Sequence, residues 1–181
     1  MKVKILLIIC ILILWNIVNL HAQIRYTAGD TIKGKNASYF CVLANKLMVK
    51  IFNTNNRDSS DIIYYNNGKL VGEEVSVYRS AYEMSDLYKV CKEVFTPAEL
   101  DNLKRANRFI LIDVVANSEG EATEIYFTIH REDTLLGNLD PDRLYLLEQK
   151  FKKILKLEAT SQVRSIRNNK YIASIKFSEI P

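Results

Sequence analysis

The sequence has few of the residues that catalytic and metal-binding sites depend on. Its 181 residues include two histidines, His21 and His130, and the first lies in an amino-terminal segment that we expect to be removed. No cysteine or histidine lies at ligand spacing from another, which argues against a metal site. A Gly-x-Ser-x-Gly motif and a paired nucleophile are also missing. We therefore expect no enzyme activity, no catalytic residue, no metal and no cofactor.

An excess of charge of one sign is missing as well. The chain has 25 basic and 21 acidic residues, and two of the basic ones, Lys2 and Lys4, belong to the segment expected to be removed. The remaining 23 basic and 21 acidic residues nearly cancel. A balance of this kind gives no support to binding of nucleic acid or of an acidic substrate.

The amino terminus has the pattern of a secretory signal peptide over residues 1–22. A short cationic start precedes an apolar run over residues 5–20, and Ala22 supplies a small residue before the expected cleavage point. The protein is then predicted to be periplasmic or secreted. Because the apolar run is long for a signal core, the alternative is a retained anchor in the inner membrane.

Removal of 22 of the 181 residues leaves 159, enough for one domain with a real core. We divide it into an α+β extension with a hairpin over residues 23–95 and a second α+β unit over residues 96–181. Residues 37–95 are expected to form one compact domain with that unit.

Two cysteines, Cys41 and Cys91, remain after cleavage. In an oxidising compartment an even pair suggests one disulfide that closes a long loop. The alternative is two buried free thiols, because Cys91 shares an apolar helical stripe with neighbouring leucine and valine residues.

Residues 109–130 predict an antiparallel hairpin, which is the strongest local pattern of the chain. Residues 109–116 are apolar on both faces, as a centrally paired strand requires. Residues 121–130 alternate, with Ile125, Phe127 and Ile129 on a buried face and the intervening side chains in solvent. Between the two strands, residues 117–120 supply turn formers and a glycine.

The first half of the chain also predicts strands. Residues 39–52 are rich in aliphatic and aromatic residues with strand-like alternation. Residues 62–71 carry Asn67-Gly68, a dipeptide that favours a tight hairpin turn. Residues 23–36 are polar without periodicity, and we expect an irregular lead-in there.

Three helices and a last strand complete the predicted elements. Ser85 is expected to cap a helix over residues 86–95, and Thr96-Pro97-Ala98-Glu99 has the pattern of a capping box. Asp140-Pro141 starts a third helix with an apolar face and a solvated face rich in lysine. The apolar face contains Leu144, Leu147, Phe151, Ile154 and Leu155. With an alternating strand over residues 171–177, the predicted fold class is α+β, an antiparallel sheet with helices packed on one face.

The order of elements after residue 109 resembles the TonB carboxy-terminal domain family in its broad sense, a ββαβ unit found in small exported Gram-negative proteins. The resemblance covers residues 109–177 and is carried by the turn at residues 117–120, Leu139-Asp140-Pro141 and the closing Ile175-Lys176-Phe177. Residues 156–159 depart from the family pattern after the helix. With three prolines in the whole chain, we expect no proline-rich spacer and no role in energy transduction across the periplasm.

The resemblance implies a non-catalytic interaction module of the bacterial envelope that binds an envelope protein or an extended peptide. In that family partner peptides add to a sheet edge, and the matching strand here contains Tyr171, Ala173, Ser174 and Ile175. Ten tyrosines leave a glycan- or ligand-binding surface as the alternative. A hydrolase is a further, less favoured alternative, in which His130 near Glu132 and Asp133 acts as an acid or base. It is less favoured because no nucleophile is paired with His130 in the sequence.

Overall fold

A computed structural model describes residues 24–57, 63–71 and 79–181, which form a six-stranded antiparallel sheet with helices on one face. The strand order is β1-β2-β3-β5-β4-β6. The predicted α+β class is therefore confirmed. The strands are β1 (Thr31–Lys33), β2 (Ser38–Leu43), β3 (Met48–Asn53), β4 (Phe109–Ala116), β5 (Ala122–His130) and β6 (Asn169–Lys176).

In the described part of the chain, four helices and two short 3-10 turns accompany the sheet. The helices are α1 (Met84–Val94), α2 (Pro97–Arg105), α3 (Pro141–Ile154) and α4 (Ser161–Ser165), and the 3-10 turns are Leu136–Asn138 and Phe177–Glu179. The predicted strand-strand-helix-strand order after residue 109 is present, with α4 inserted before β6.

The predicted starts of α2 and α3 are confirmed, and that of α1 is wrong. At α2 the Thr96 hydroxyl accepts from the Glu99 amide while the Glu99 carboxylate accepts from the Thr96 amide. At α3 the Asp140 carboxylate accepts from the Asp142 amide. In α1 the capping position belongs to Glu83, which makes no side-chain cap, and Ser85 lies inside the first turn.

The core lies between one face of the sheet and helices α1 to α3. Ile112 of β4, Phe127 of β5 and Ile175 of β6 are at most 1% exposed, and so are Leu147 and Phe151 of α3. Each such side chain contributes about 1.5–3 kcal/mol on burial. The helices are therefore held mainly by packing on the sheet.

The predicted hairpin over residues 109–130 is confirmed as β4 and β5. The Asn117 side-chain carbonyl accepts from the amides of Glu119 and Glu121, and Gly120 has a positive φ of 80°. β4 lies between β5 and β6, as its two apolar faces suggested. The predicted solvated face of β5 is wrong at the centre of the strand, since Tyr126 is 5% and Thr128 7% exposed and both faces are buried there.

Residues 39–52 are not one strand but two antiparallel ones. Asn45 breaks the run, because its side-chain carbonyl accepts from the amides of Leu47 and Met48 and turns the chain. The lead-in is more ordered than expected and contains β1. The predicted hairpin at residues 62–71 is present over the described residues 63–71, where Tyr64 pairs with Leu70 and Gly68 has a φ of 82°.

The predicted signal peptide, residues 1–22, lies outside the described residues. Among the described helices, none is long and apolar enough to cross a membrane.

Cys41 and Cys91 are both free and buried, so the proposed disulfide is not formed in this structure. Cys41 lies in β2 and Cys91 in α1, and both belong to the hydrophobic core. The alternative prediction of two buried thiols describes them correctly. Helical periodicity places Cys91 inward as a small apolar residue, and strand parity does the same for Cys41.

Candidate functional site: the outer edge of β6

β6 forms an edge of the sheet within the described part of the chain. One side of it pairs with β4 over its whole length, and no other described strand pairs with its outer side. The hairpin at residues 63–71 lies beside the chain just before β6, where the Arg167 amide donates to the Tyr64 carbonyl at 2.9 Å. Among the described residues, no segment pairs with the outer side of residues 172–176, and we call this stretch the open part of the edge.

The backbone of β6 alternates between β4 and the outer side. The Phe177 amide donates to the Arg108 carbonyl at 3.0 Å, directly after the last registered pair, Phe109 with Lys176. In an antiparallel ladder, every second residue bonds to the same neighbour. Residues 171, 173 and 175 therefore bond to β4, while Ile172, Ser174 and Lys176 direct their amides and carbonyls outward.

Only one of the four predicted site residues faces outward. Ala173 is 4% and Ile175 0% exposed, so both side chains lie in the core. Tyr171 is half-buried, and burial raises the pKa of its hydroxyl. Ser174 is exposed with an outward backbone. The four predicted residues thus lie on an edge strand of the described sheet, but three of them use their backbone for β4.

Sequence reasoning assigned Lys176 to the protection of this edge but missed Ile172. Ile172 is 68% exposed, a large apolar side chain in the middle of an edge strand. The parity of β6 groups Ile172 with Ser174 and Lys176, but only the pairing with β4 shows that the backbone groups of these residues point outward. Lys176 makes an exposed ion pair with Glu179 at 3.3 Å, and lysine on an edge strand discourages unspecific pairing.

A buried polar cluster around Glu148 was also missed. Glu148 of α3 is fully buried, and its carboxylate accepts from the Tyr39 hydroxyl at 2.8 Å and the Asn53 amide group at 3.2 Å. Lys152 donates to it at 2.6 Å. Burial, followed by the neighbouring Glu148 carboxylate, raises the pKa of Tyr39. Because both carboxylate oxygens have partners, the cluster joins α3 to β2 and β3 and presents no open group for chemistry.

The structure gives His130 no catalytic arrangement in the described residues. Its Nδ1 accepts from the Glu132 amide at 3.2 Å. Asp133 is engaged elsewhere: its Oδ1 accepts from the Leu135 and Leu136 amides, and its Oδ2 lies 3.2 Å from Arg108 Nε, an ion pair without hydrogen-bond geometry. Within the described ranges, no three His, Cys, Asp or Glu side chains are grouped to hold a metal ion.

The face of the sheet opposite α1 to α3 carries a row of three aromatic side chains. The ring centroids of Phe40 and Phe52 lie 5.7 Å apart, and the two rings pack edge to face. The ring centroids of Phe52 and Tyr126 lie 5.6 Å apart, and these two rings are tilted relative to each other. Lys50 lies over the Tyr126 ring at 5.2 Å and pairs with Asp113 at 2.6 Å. The row follows the strand register, since Phe40 opposes Phe52 and Phe52 opposes Tyr126.

Comparison with solved structures shows a similarity in fold. The crystal structure of a DUF5043 family protein from Bacteroides uniformis ATCC 8492 matches this chain with a TM-score of 0.70 and 17% sequence identity. The match covers 86% of this chain and 89% of that chain. The two proteins share a fold. At this identity the likeness extends to the fold alone.

No family model matches the chain, and a search of curated proteins gave no match. None of the comparisons links the chain to the TonB family.

Proposed function

We propose that the protein is an exported, non-catalytic binding module of the bacterial envelope that pairs an extended peptide segment with the outer edge of β6. The observation that carries the proposal is the open edge at residues 172–176, with three residues whose backbone groups point outward and an exposed Ile172. The resemblance to the TonB carboxy-terminal family supports the same mode of binding. The signal-like segment, residues 1–22, supports export.

Strand addition would use main-chain hydrogen bonds for affinity and a few side chains for selection. Three outward residues, Ile172, Ser174 and Lys176, offer three amides and three carbonyls. Ile172 would pack against an apolar side chain of the added strand, because neighbouring side chains on one face of a sheet are in contact. The preferred peptide is therefore extended, with an apolar residue opposite Ile172.

The test is binding to an array of extended peptides by the protein and by Ser174→Pro. Proline is tolerated on an edge strand where the amide faces solvent, so the variant should fold with an unchanged thermal midpoint. It removes one outward donor and should abolish peptide capture. Ser174→Ala is the matched control and should bind as the parent does. Equal capture by Ser174→Pro and the parent, or capture of no peptide by the parent, would rule the proposal out.

Export has its own test. The protein recovered from an exporting bacterium should begin at Gln23 if the segment is cleaved after Ala22, as the amino-terminal sequence or the intact mass will show. A retained segment would place the protein in the inner membrane with the same β6 edge exposed. Recovery of the protein in the cytoplasm alone would contradict both forms of the proposal.

A second candidate function is glycan binding at the aromatic row of Phe40, Phe52 and Tyr126. Aromatic rings stack on sugars, and the Lys50–Asp113 pair beside the row supplies polar groups. Against this, Tyr126 is 5% exposed and the rings are tilted, so they do not form a flat platform. Binding on a glycan array that is lost in Phe40→Ala and kept in Ser174→Pro would favour this function over peptide pairing.

A further inference from the structure

A cleft of about 380 Å³ lies where β2 ends and β3 begins. One of its walls is the sheet, through Leu43 of β2 and Val49 of β3, a registered pair whose side chains share the core face. Val49 is 2% exposed and belongs to the core, whereas Leu43 is 59% exposed. The core therefore ends at this cleft and leaves a large apolar side chain uncovered. The volume is in the range of small-ligand sites, about 300–1,000 Å³.

The second wall is the lead-in before β1, where Ile24 and Ala28 line the cleft. Hydrogen bonds hold this segment on either side of Ala28. The Tyr26 amide donates to the 3-10 turn before α3 at 3.0 Å, and the Gly29 amide donates to the Cys41 carbonyl at 2.8 Å. The cleft is therefore preformed, which lowers the ordering cost of binding a ligand.

Two exposed charges of opposite sign, Arg131 and Glu132, line the cleft directly after β5. The Arg131 amide donates to the Leu47 carbonyl at 2.9 Å and its guanidinium to the Lys46 carbonyl at 3.3 Å, so the residue is positioned by the β2–β3 turn. Within the described part of the chain, the Arg131 guanidinium and the Glu132 carboxylate form no ion pair with each other or with another residue. Both charges therefore remain available to a ligand.

We propose that this cleft binds a free α-amino acid with an apolar side chain, independently of the proposed β6 pairing. The Arg131 guanidinium donates to the ligand carboxylate, because its planar N–H groups match the two carboxylate oxygens. The Glu132 carboxylate accepts from the ligand ammonium group, and the apolar side chain packs on Leu43 and Ile24. The occupant follows from charge complementarity, since a zwitterion satisfies two opposite charges that do not satisfy each other. The cleft is three strands from β6 in the sheet order, so both sites are available at once.

The ligand class is tested by isothermal titration calorimetry of the purified protein with L-leucine and three probes that each lack one feature. L-alanine lacks the large apolar group, 4-methylpentanoate lacks the ammonium group, and 3-methylbutylamine lacks the carboxylate. L-leucine should bind, and each probe should bind at least about tenfold more weakly. No binding of L-leucine up to its solubility, or equal affinity for L-leucine and any one probe, would overturn the proposal.

The site is tested with Arg131→Gln and Glu132→Gln, each of which should weaken L-leucine binding at least about tenfold. Both side chains are exposed, so the thermal midpoint should not change. Lys46→Gln is the matched control, because Lys46 is an exposed cation close to Arg131 that does not line the cleft, and it should bind as the parent does. Leu43→Ser should lower the affinity for L-leucine to that for L-alanine. Unchanged affinity in any of these three cleft variants, or an equal loss in Lys46→Gln, would overturn the assignment. None of these outcomes bears on peptide capture by Ser174→Pro, so the two proposals fail separately.

Discussion

At the scale of single residues, burial determines the chemistry of the two cysteines. Cys41 and Cys91 are 0% exposed, and burial raises the pKa of each thiol to about 12. The thiolate is the reactive form, so both groups are inert while the protein is folded.

We predict that the folded protein resists alkylation at mildly alkaline pH and that Cys41 and Cys91 become modified together on unfolding. Mass spectrometry after iodoacetamide treatment, with and without denaturant, checks this. A reductant should leave the thermal midpoint unchanged because no disulfide is present. Rapid modification of the native protein, or a fall of the midpoint in reductant, would contradict the arrangement of the two thiols.

Glu99 is the residue whose charge contributes most clearly to the fold. Its carboxylate contacts the Arg143 guanidinium at 2.7 and 2.9 Å, and this hydrogen-bonded pair lowers the pKa of Glu99 from 4.5 to about 2. Arg143 also donates to the Val94 carbonyl, so the pair links α3 to both α1 and α2.

We predict that Glu99→Gln lowers the free energy of unfolding by about 1–2 kcal/mol at neutral pH, after allowance for partial exposure of the pair. A carboxylate with a lowered pKa in the folded state stabilises above its unfolded pKa. The difference between variant and parent should therefore shrink as pH falls from about 4.5 to about 2.

Urea unfolding across that pH range measures the effect of Glu99→Gln. Glu93→Gln is the matched control, since Glu93 pairs with Lys150 but is 56% exposed, and it should change the free energy by less than about 0.5 kcal/mol. A pH-independent difference for Glu99→Gln would show that its charge is not the cause.

At the scale of elements, two glycine turns with the same backbone angle differ in their surroundings. Gly120 in the β4–β5 turn has a φ of 80°, and Gly68 in the hairpin of residues 63–71 has a φ of 82°. A methyl group at Gly68 would meet nothing, whereas one at Gly120 would overlap the backbone carbonyl of Leu157. The Leu157 amide also donates to the Gly120 carbonyl, so the turn packs against the chain after α3.

We predict that Gly68→Ala costs about 1 kcal/mol from the positive φ alone, and that Gly120→Ala costs about 2–3 kcal/mol because the overlap is added. Chemical denaturation of the two variants gives both values. Equal costs would mean that the chain at Leu157 moves aside freely, and that this contact does not hold the turn.

At the scale of the whole molecule, one sheet joins the two halves of the chain. β3 pairs with β5 over five registered residue pairs, from Met48 with His130 to Phe52 with Tyr126. Glu148 adds a second connection, because it binds Tyr39 and Asn53 of the first half from a helix of the second.

We therefore predict a single cooperative unfolding transition, with no separate unfolding of residues 24–57. Native-state hydrogen exchange should give the slowest amides of β3 and of β4 the same free energy of opening. A lower value for β2 and β3 than for β4 to β6 would show that the first half opens on its own.

Local sequence patterns were sufficient to predict the helix starts and turns that depend on a few adjacent residues. The capping box at Thr96, the Asp140-Pro141 start of α3 and the glycine turn at Gly120 are encoded in a few adjacent residues, so each was predicted correctly. Ser85 failed as a cap because α1 begins at Met84, two residues before the predicted start, and Glu83 occupies the capping position. α4, with five residues, has too short a pattern to predict and depends on its contacts.

The sequence by itself determined the core-facing side chains of β5, the apolar stripes of α1 and α3 and the α+β class, because side-chain periodicity depends only on local backbone geometry. Only the tertiary structure decided that β6 is an edge, that Ile172 and not Tyr171 faces outward, and that Glu148 is buried. It also decided that Cys41 and Cys91 stay apart as thiols. These features depend on which distant segments of the chain pack together in space. The pattern of residues adjacent in sequence does not determine that packing.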